Sequence, residues 1–195
     1  MSVCGVILAA GYSSRVGDFK PALNIFGKSI LQRSIESMSD LCGQVIVVGG
    51  HEIEKIIEIV GDISKVKIVK NEHVELGMFS SVRVGVAHVN ADRFFVLPGD
   101  QPVVRKSTFE TLLEKGGDII IPRFKGKKGH PVLFSAHCIS EILALPDTAI
   151  LRNYIHSKKD VKILDVDDPG IGMDVDTSED YEIIKEYYKQ HFIKY

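Results

Sequence analysis

The sequence predicts an α/β protein, with a mostly parallel β-sheet covered by helices on both faces in three layers. Two observations carry this. Short apolar runs bounded by Gly, Pro and Asp recur along the chain, as strands buried on both faces do. Between them lie segments whose apolar residues repeat at helical spacing. Strand–helix alternation of this kind builds parallel sheets with crossover helices. No low-complexity segment, long linker or internal repeat interrupts the pattern, so residues 1–195 are expected to form a single domain.

The elements follow in order. Val3 to Leu8 is apolar except for Gly5 and is the first predicted strand. Gly27-Lys28-Ser29 reads as a turn into a helix beginning near Lys28, with Ile30, Leu31, Ile35, Met38 and Leu41 on one face. The β-branched run Val45 to Val48 is the second strand, and Ile53, Ile56, Ile57 and Val60 form the face of the next helix. Val66 to Val69 is a third strand, followed by a helix striped by Met78, Val82, Gly85, Val86 and Val89. Phe94 to Leu97 is a fourth strand, and Phe109, Leu112 and Leu113 mark the helix after it. Ile119 to Ile121 is a fifth strand. Tyr181, Ile184, Tyr187 and Tyr188 stripe a last helix, with Thr177 and Asp180 spaced as a capping box.

Composition removes several function classes. Lys plus Arg is 24 and Asp plus Glu is 26, for a net charge of −2, so no basic excess points to nucleic acid or an anionic membrane. No apolar run approaches the ~18 residues of a membrane span. Met1-Ser2-Val3-Cys4 has neither the basic start nor the long apolar stretch of a secretory leader. The three cysteines, Cys4, Cys42 and Cys138, lack CxxC spacing and fit a reduced, cytoplasmic protein. They are expected in a strand, just after a helix and on a helix, so none is placed as a nucleophile. His51-Glu52 is followed by Lys55 where a zinc hydrolase has its second His.

In open α/β sheets, ligands bind beyond the carboxyl ends of the strands. The loop from Leu8 to Pro21 follows the first strand directly. Its small residues Ala9, Ala10 and Gly11 let the backbone approach a ligand, and Arg15 and Lys20 add two cations. That combination suits a polyphosphate, the alternative being a surface turn with two solvated cations. The G-x-G-x-x-G fingerprint is absent, and the P-loop mimic ending at Gly27-Lys28-Ser29 has Ala22 where its first glycine belongs. Asp100 stands just past the fourth strand, placed either as a hard oxygen ligand for Mg2+ or as a turn residue capping the helix after Pro102. Asp174 and Asp176 are expected to face opposite ways, so that one of them reaches the site. Asp180 reads as a helix cap, and Asp165, Asp167 and Asp168 as a solvated acidic turn. Phe124 to His130 carries three lysines and two glycines, and is either a solvated hairpin or a cover that gathers an anionic acceptor.

Taken together, L-A-A-G-x-S-S-R-x-G-x-x-K-P at 8–21, Gly77-Met78-Phe79-Ser80-Ser81-Val82, Pro98-Gly99-Asp100-Gln101-Pro102, Gly129-His130-Pro131-Val132 and Asp174-Val175-Asp176-Thr177 carry a resemblance over nearly the whole chain. The sequence resembles the nucleotidyltransferases of the nucleotide-diphospho-sugar transferase (glycosyltransferase-A-like, Rossmann-like) fold, and within them most of all the molybdenum cofactor cytidylyltransferase branch. The resemblance implies Mg2+-dependent transfer of CMP from CTP to a molybdopterin-type acceptor, releasing pyrophosphate, with a molybdenum hydroxylase as eventual client. It implies that the backbone at Leu8, Ala9, Ala10 and Gly11 meets the nucleotide and that Arg15 and Lys20 bind the triphosphate. Gly77, with Ser80 or Ser81, would sit near the base; Asn71 would either reach the base or form a turn. Asp100 and Asp176 would hold Mg2+, with Asp174 behind them, and Arg15, Lys20 and Asp100 would carry catalysis. His130 would bond the acceptor phosphate or its own turn. Ala9-Ala10-Gly11 goes with cytidine in such proteins, Ala-Gly-Gly more often with guanosine. The chemistry fits these residues, because an anionic acceptor attacking an anionic phosphate needs cations to offset repulsion. Two rivals share the features: a sugar- or polyol-phosphate nucleotidyltransferase, and a cofactor-carrying chaperone. Retained Arg15, Lys20, Asp100 and Asp176 argue against the second.

Overall fold

A computed structural model describes residues 1–11, 19–61, 63–146 and 148–193. Strand β1 (Val3–Leu8) is followed by a small hairpin of β2 (Asn24–Ile25) and β3 (Lys28–Ser29), then helix α1 (Ile30–Ser39). Next come β4 (Gln44–Gly49), α2 (Ile53–Val60), β5 (Val66–Lys70), α3 (Met78–Val86), β6 (Arg93–Pro98) and α4 (Lys106–Leu113). The second half holds β7 (Ile119–Phe124), β8 (Lys127–Lys128), β9 (Val132–Ser135), α5 (Cys138–Ala144), α6 (Leu151–Ser157), β10 (Val161–Asp165) and α7 (Ser178–Phe192).

The main sheet runs in the order β10-β7-β9-β6-β1-β4-β5, with β8 paired to β7. β1 pairs in parallel with β4 and β6, β4 with β5, and β7 with β10. Only β9 on this path runs the other way, antiparallel to both β6 and β7. The mostly parallel, helix-covered sheet is the one the alternating pattern predicts. β9 and β10 were not among the predicted strands: Val132-Leu133-Phe134 is short and sits behind Pro131, while β10 alternates and lies at an edge.

Side-chain alternation along the strands splits the core in two. On one face Ile7, Val45, Val47, Phe95 and Leu97 pack with Leu31, Ile35 and Met38 of α1, Ile56 of α2 and Phe109 of α4. On the other, Val6, Ile46, Val48, Phe94 and Val96 pack with Val82 and Val86 of α3, Ile142 of α5 and Tyr154 of α6. A Cβ at Gly85 would stand 2.4 Å from Val6 Cγ1, so a glycine there lets α3 lie close on β1.

Three expectations are corrected here. Ile57 is 51% exposed, because α2 lies at the margin of the sheet and presents Ile56 and Val60 inward. Met78 is 68% exposed, being the first residue of α3 at the open end of the sheet. Val66 to Val69 is not buried on both faces. β5 is an edge strand whose Lys67 and Lys70 point outward, the usual protection of a free edge.

A third apolar cluster joins Ile25 and Ile30 to Val103, Val175 and Ile184. Phe26 stacks on Tyr188 at 6.1 Å, and the Arg33 guanidinium lies 4.5 Å from the same ring. The capping box read at Thr177 and Asp180 is present, and Ser29 with Gln32 makes another that starts α1 at Ile30, two residues past Lys28. Together these contacts hold α7, and the acidic segment before it, against the β2–β3 hairpin and the start of α1. Among the described residues no helix is long and apolar enough to cross a membrane.

Candidate functional site

The carboxyl ends of β1, β4 and β6 form the floor of the site. The Ala9 N–H donates to the Val48 carbonyl and the Gly99 N–H to the Leu8 carbonyl, each at 2.9 Å, so the first loop leaves the sheet pinned to both neighbours. The approach is close. A Cβ at Gly50 would stand 2.7 Å from the Ala10 carbonyl oxygen, and one at Gly99 would stand 3.1 Å from that of Leu8. Gly50 and Gly99 thus join the loop residues that the sequence points to, and their signal in the sequence is a glycine directly after a buried strand. Two clefts share Ala9 and Gly11. One of about 90 Å3 is lined by Leu8, Lys20, Pro21, Gly99 and Asp100; the other, of about 30 Å3, by Ala10, Phe19, Gly50, His51 and Glu52. Arg15 lies outside the described residues.

The acidic side is built from two segments. Asp100 follows β6, and its carbonyl accepts from the Val175 N–H at 3.1 Å. Val175 is buried in the third cluster, so the residues on either side of it turn the other way. In extended chain, residues i and i+2 share a face. The expectation that Asp174 and Asp176 point apart is therefore overturned, and both carboxyls stand on the side of Asp100. Lys20 Nζ donates to Asp176 Oδ1 at 2.9 Å. Burial raises the Asp100 pKa; Lys20 pulls it down, while Asp174 and Asp176 push it up. Burial, then repulsion from Asp176, raises that of Asp174. Among the described residues, these carboxyls crowd together beside the Lys20 ammonium, a set of hard oxygen donors. Among the described residues, no three acidic, His or Cys side chains converge closely enough to hold an ion alone. One or two hard carboxylates, completed by phosphate oxygens and water, are what Mg2+ takes, so the residues present fit such an ion.

On the far side of the first loop, Asn71, Ser80 and Ser81 are buried against one another. Asn71 Nδ2 donates to Ser80 Oγ at 2.8 Å and to Ser81 Oγ at 2.9 Å, and its Oδ1 accepts from the His73 N–H at 2.9 Å. Of its two readings, the turn-forming one is present, and its donors are engaged within the protein. Ser80 Oγ also lies 2.7 Å from the Gly77 carbonyl oxygen, and Gly77 has φ +87°, a backbone shape that glycine adopts without strain.

The lysine-rich stretch is a tight hairpin of β7 and β8 turning at Lys125 and Gly126, both with positive φ, and its lysines are exposed. His130 follows it. The His130 N–H donates to the Ile171 carbonyl at 2.9 Å, and burial lowers the ring pKa to about 4, so the imidazole is neutral at pH 7.

One acidic residue departs from expectation altogether. Asp168, read as solvated, is 1% exposed. It accepts hydrogen bonds from the Arg105 N–H, the Thr108 hydroxyl and the Gly170 N–H. Asp165 does lie at the surface, paired with Arg123.

The model of the MobA-like NTP transferase domain family matches residues 5–161. The chain is 28% identical over 186 residues to the molybdenum cofactor cytidylyltransferase of Escherichia coli (strain K12), covering 95% of this chain and 96% of that one. It is 26% identical over 136 residues to a probable molybdenum cofactor guanylyltransferase of Bacillus cereus, covering 68% and 67%. Among solved structures, Rv0371c of Mycobacterium tuberculosis H37Rv in complex with manganese superposes with a TM-score of 0.77 at 26% identity, covering 95% of this chain and 99% of that one.

Proposed function

The chain belongs to the MobA-like NTP transferase domain family, a family of nucleotidyltransferases, and from that premise we propose that it is a Mg2+-dependent cytidylyltransferase acting on a molybdopterin-type cofactor. An oxygen of the acceptor phosphate attacks the α-phosphorus of CTP, the bond to the β-phosphate breaks, and pyrophosphate leaves with the electron pair. The observation that carries this reading is the meeting of Lys20, Asp100 and Asp176 at the mouth of the first loop. The likeness to the E. coli cytidylyltransferase along almost the whole chain supports the acceptor class.

In this reading the backbone from Leu8 to Gly11 receives the nucleotide, with Arg15 and Lys20 on the triphosphate. Lys20 stands between Asp176 and the cleft that ends at Asp100, where one ammonium serves both carboxylate and phosphate oxygens. Asp100 and Asp176, with Asp174 beside them, would hold Mg2+; the bound ion supplies charge stabilisation for the transfer and for departing pyrophosphate. Gly77, Asn71, Ser80 and Ser81 shape the wall beside the base, their mutual hydrogen bonds fixing it before the nucleotide arrives. His130 offers the acceptor phosphate an uncharged donor. Ala10, where guanosine-using relatives more often carry Gly, favours CTP. Residues 1–195 act as one catalytic domain. A reducing cytoplasm suits the buried free thiols Cys4, Cys42 and Cys138, and a molybdenum hydroxylase would receive the product.

The test is pyrophosphate release. The purified protein with Mg2+, CTP and molybdopterin-type cofactor should yield pyrophosphate, and more slowly with GTP. Release with sugar phosphates or polyol phosphates instead would move the acceptor to the rival class. Cofactor binding with no pyrophosphate from any nucleotide would make the protein a carrier.

A further inference from the structure

We propose that Asp168 is a positioning residue for the metal-binding carboxylates, a role that rests on the reading of Asp100, Asp174 and Asp176 given above. Asp168 belongs to neither wall of the site. It is buried where the chain after β10 crosses the start of α4. Its Oδ2 accepts from the Arg105 N–H at 2.9 Å and from Thr108 Oγ1 at 2.7 Å, and its Oδ1 accepts from the Gly170 N–H at 2.9 Å. α4 has no side-chain cap of its own, because its N-cap position is Arg105. A carboxylate at a helix N-terminus satisfies free N–H groups and meets the positive end of the helix dipole. Asp168 supplies that cap from a distant part of the sequence. Arg105 then closes the joint, donating to the Asp167 carbonyl at 3.0 Å and to the Tyr187 hydroxyl of α7 at 2.8 Å.

The two segments joined in this way are those that carry the proposed ligands. Upstream of Arg105 the chain leads back through Val103 to Asp100. Downstream of Asp168 it leads through Gly170 to Asp174 and Asp176. Little slack separates the clamp from the carboxylates. A Cβ at Gly170 would stand 2.2 Å from the Val103 carbonyl oxygen, and one at Gly129 would stand 2.1 Å from that of Ile171, so the turn is wedged between two backbones. The His130 N–H holds the Ile171 carbonyl, and the Val175 N–H holds that of Asp100. Loosening the clamp therefore shifts the separation of Asp100 from Asp174 and Asp176, and carboxylate separation governs how well one small cation is shared. Mg2+ and Mn2+ have short, near-fixed ligand distances, so a displacement of a fraction of an ångström is felt as lost affinity.

The experiment measures Mn2+ binding directly, by the electron paramagnetic resonance signal of the free ion, with CTP present and no acceptor. Asp168→Asn puts an N–H2 group against donors and should raise the Mn2+ Kd about 10-fold or more, the scale seen when groups supporting metal ligands are removed. Thr108→Val keeps the carboxylate and should raise it about threefold, roughly half that effect on a logarithmic scale; it decides alone if Asp168→Asn does not fold. Ile142→Val, a core truncation on the opposite face of the sheet, is the control for lost stability; it should lower Tm and leave the Kd unchanged. Parent-like Mn2+ binding in both clamp variants, or an equal loss in Ile142→Val, overturns the positioning role. Asp100→Asn separates the two claims: if that variant also binds Mn2+ normally, the reading of the metal site fails, whereas loss there with normal clamp variants rejects the clamp alone.

Discussion

Asp100 is less acidic than a surface carboxyl because it is withdrawn from water beside two other carboxyls, a rise that Lys20 and a backbone hydrogen bond offset in part. A raised folded-state pKa means that ionisation at neutral pH costs stability. The favourable protonated form is fully present below the ordinary carboxylate range, and its contribution is lost as pH rises through the raised value. Asp100→Asn should therefore gain stability relative to the parent as pH rises from 3 to 7 in the absence of metal, while turnover falls about 100- to 1,000-fold, the usual cost of losing a main charge-stabilising contact. Thermal melts over pH and steady-state kinetics check both halves; near-normal turnover at saturating Mg2+ would remove Asp100 from the mechanism. Lys20→Ala should lower kcat more than it raises the KM for CTP, because a compact charge is worth most where charge develops. Equal, less than threefold changes in both constants would make Lys20 an ordinary surface cation. His130 runs the other way. Its ring pKa falls from 6.5 to about 4, so the stability it contributes is complete above pH 6.5 and lost as pH falls toward 4. That slope amounts to roughly 2–3 kcal/mol and should be flattened in His130→Gln, as chemical denaturation at pH 4.5 and 7 would show.

At the scale of the element, helical spacing identified α1, α2, α3, α4 and α7, and the Thr177–Asp180 spacing located the start of α7. Spacing gives a face but not the width of what lies beneath it. Ile53, Ile56, Ile57 and Val60 form one stripe by period, yet α2 sits at the sheet margin and can bury only part of it. Ile56→Ala should cost about 2–5 kcal/mol, as core truncations do. Ile57→Ala should lie within ~0.5 kcal/mol of the parent, since Ala is also the better helix former. Urea unfolding of the pair measures this, and equal losses would mean that Ile57 is covered by something outside this chain. The cap of α4 was illegible for a related reason. Cap reading looks one turn away, whereas the group that caps α4 is Asp168, 63 residues from Arg105.

At the scale of the whole molecule, the first loop, the segment after β6 and the segment before α7 come together from positions far apart in sequence. If they form one nucleotide site, CTP with Mg2+ should raise the melting temperature cooperatively. Ligand at about 100 times its Kd stabilises by ~2.7 kcal/mol, and the shift should vanish in Asp100→Asn. A shift with CTP alone, unchanged by Mg2+ and by that substitution, would separate nucleotide binding from the carboxylates. The sequence by itself determined the alternation of buried strands and amphipathic helices, and hence the sheet. It also determined the loop after β1 as the place to look, because both rest on local periodicity and on small residues next to strands. Only the tertiary structure decided that Asp174 and Asp176 face the same way, that β9 runs against its neighbours and that Asp168 is buried. Each of those depends on what lies across the gap from the residue: Val175 meets the third core, β9 fills the space between β6 and β7, and Asp168 meets two donors brought by the start of α4, besides the Gly170 N–H of its own turn. A carboxylate surrounded by donors is stable where it would otherwise be costly, and no local pattern in a sequence records where its donors come from.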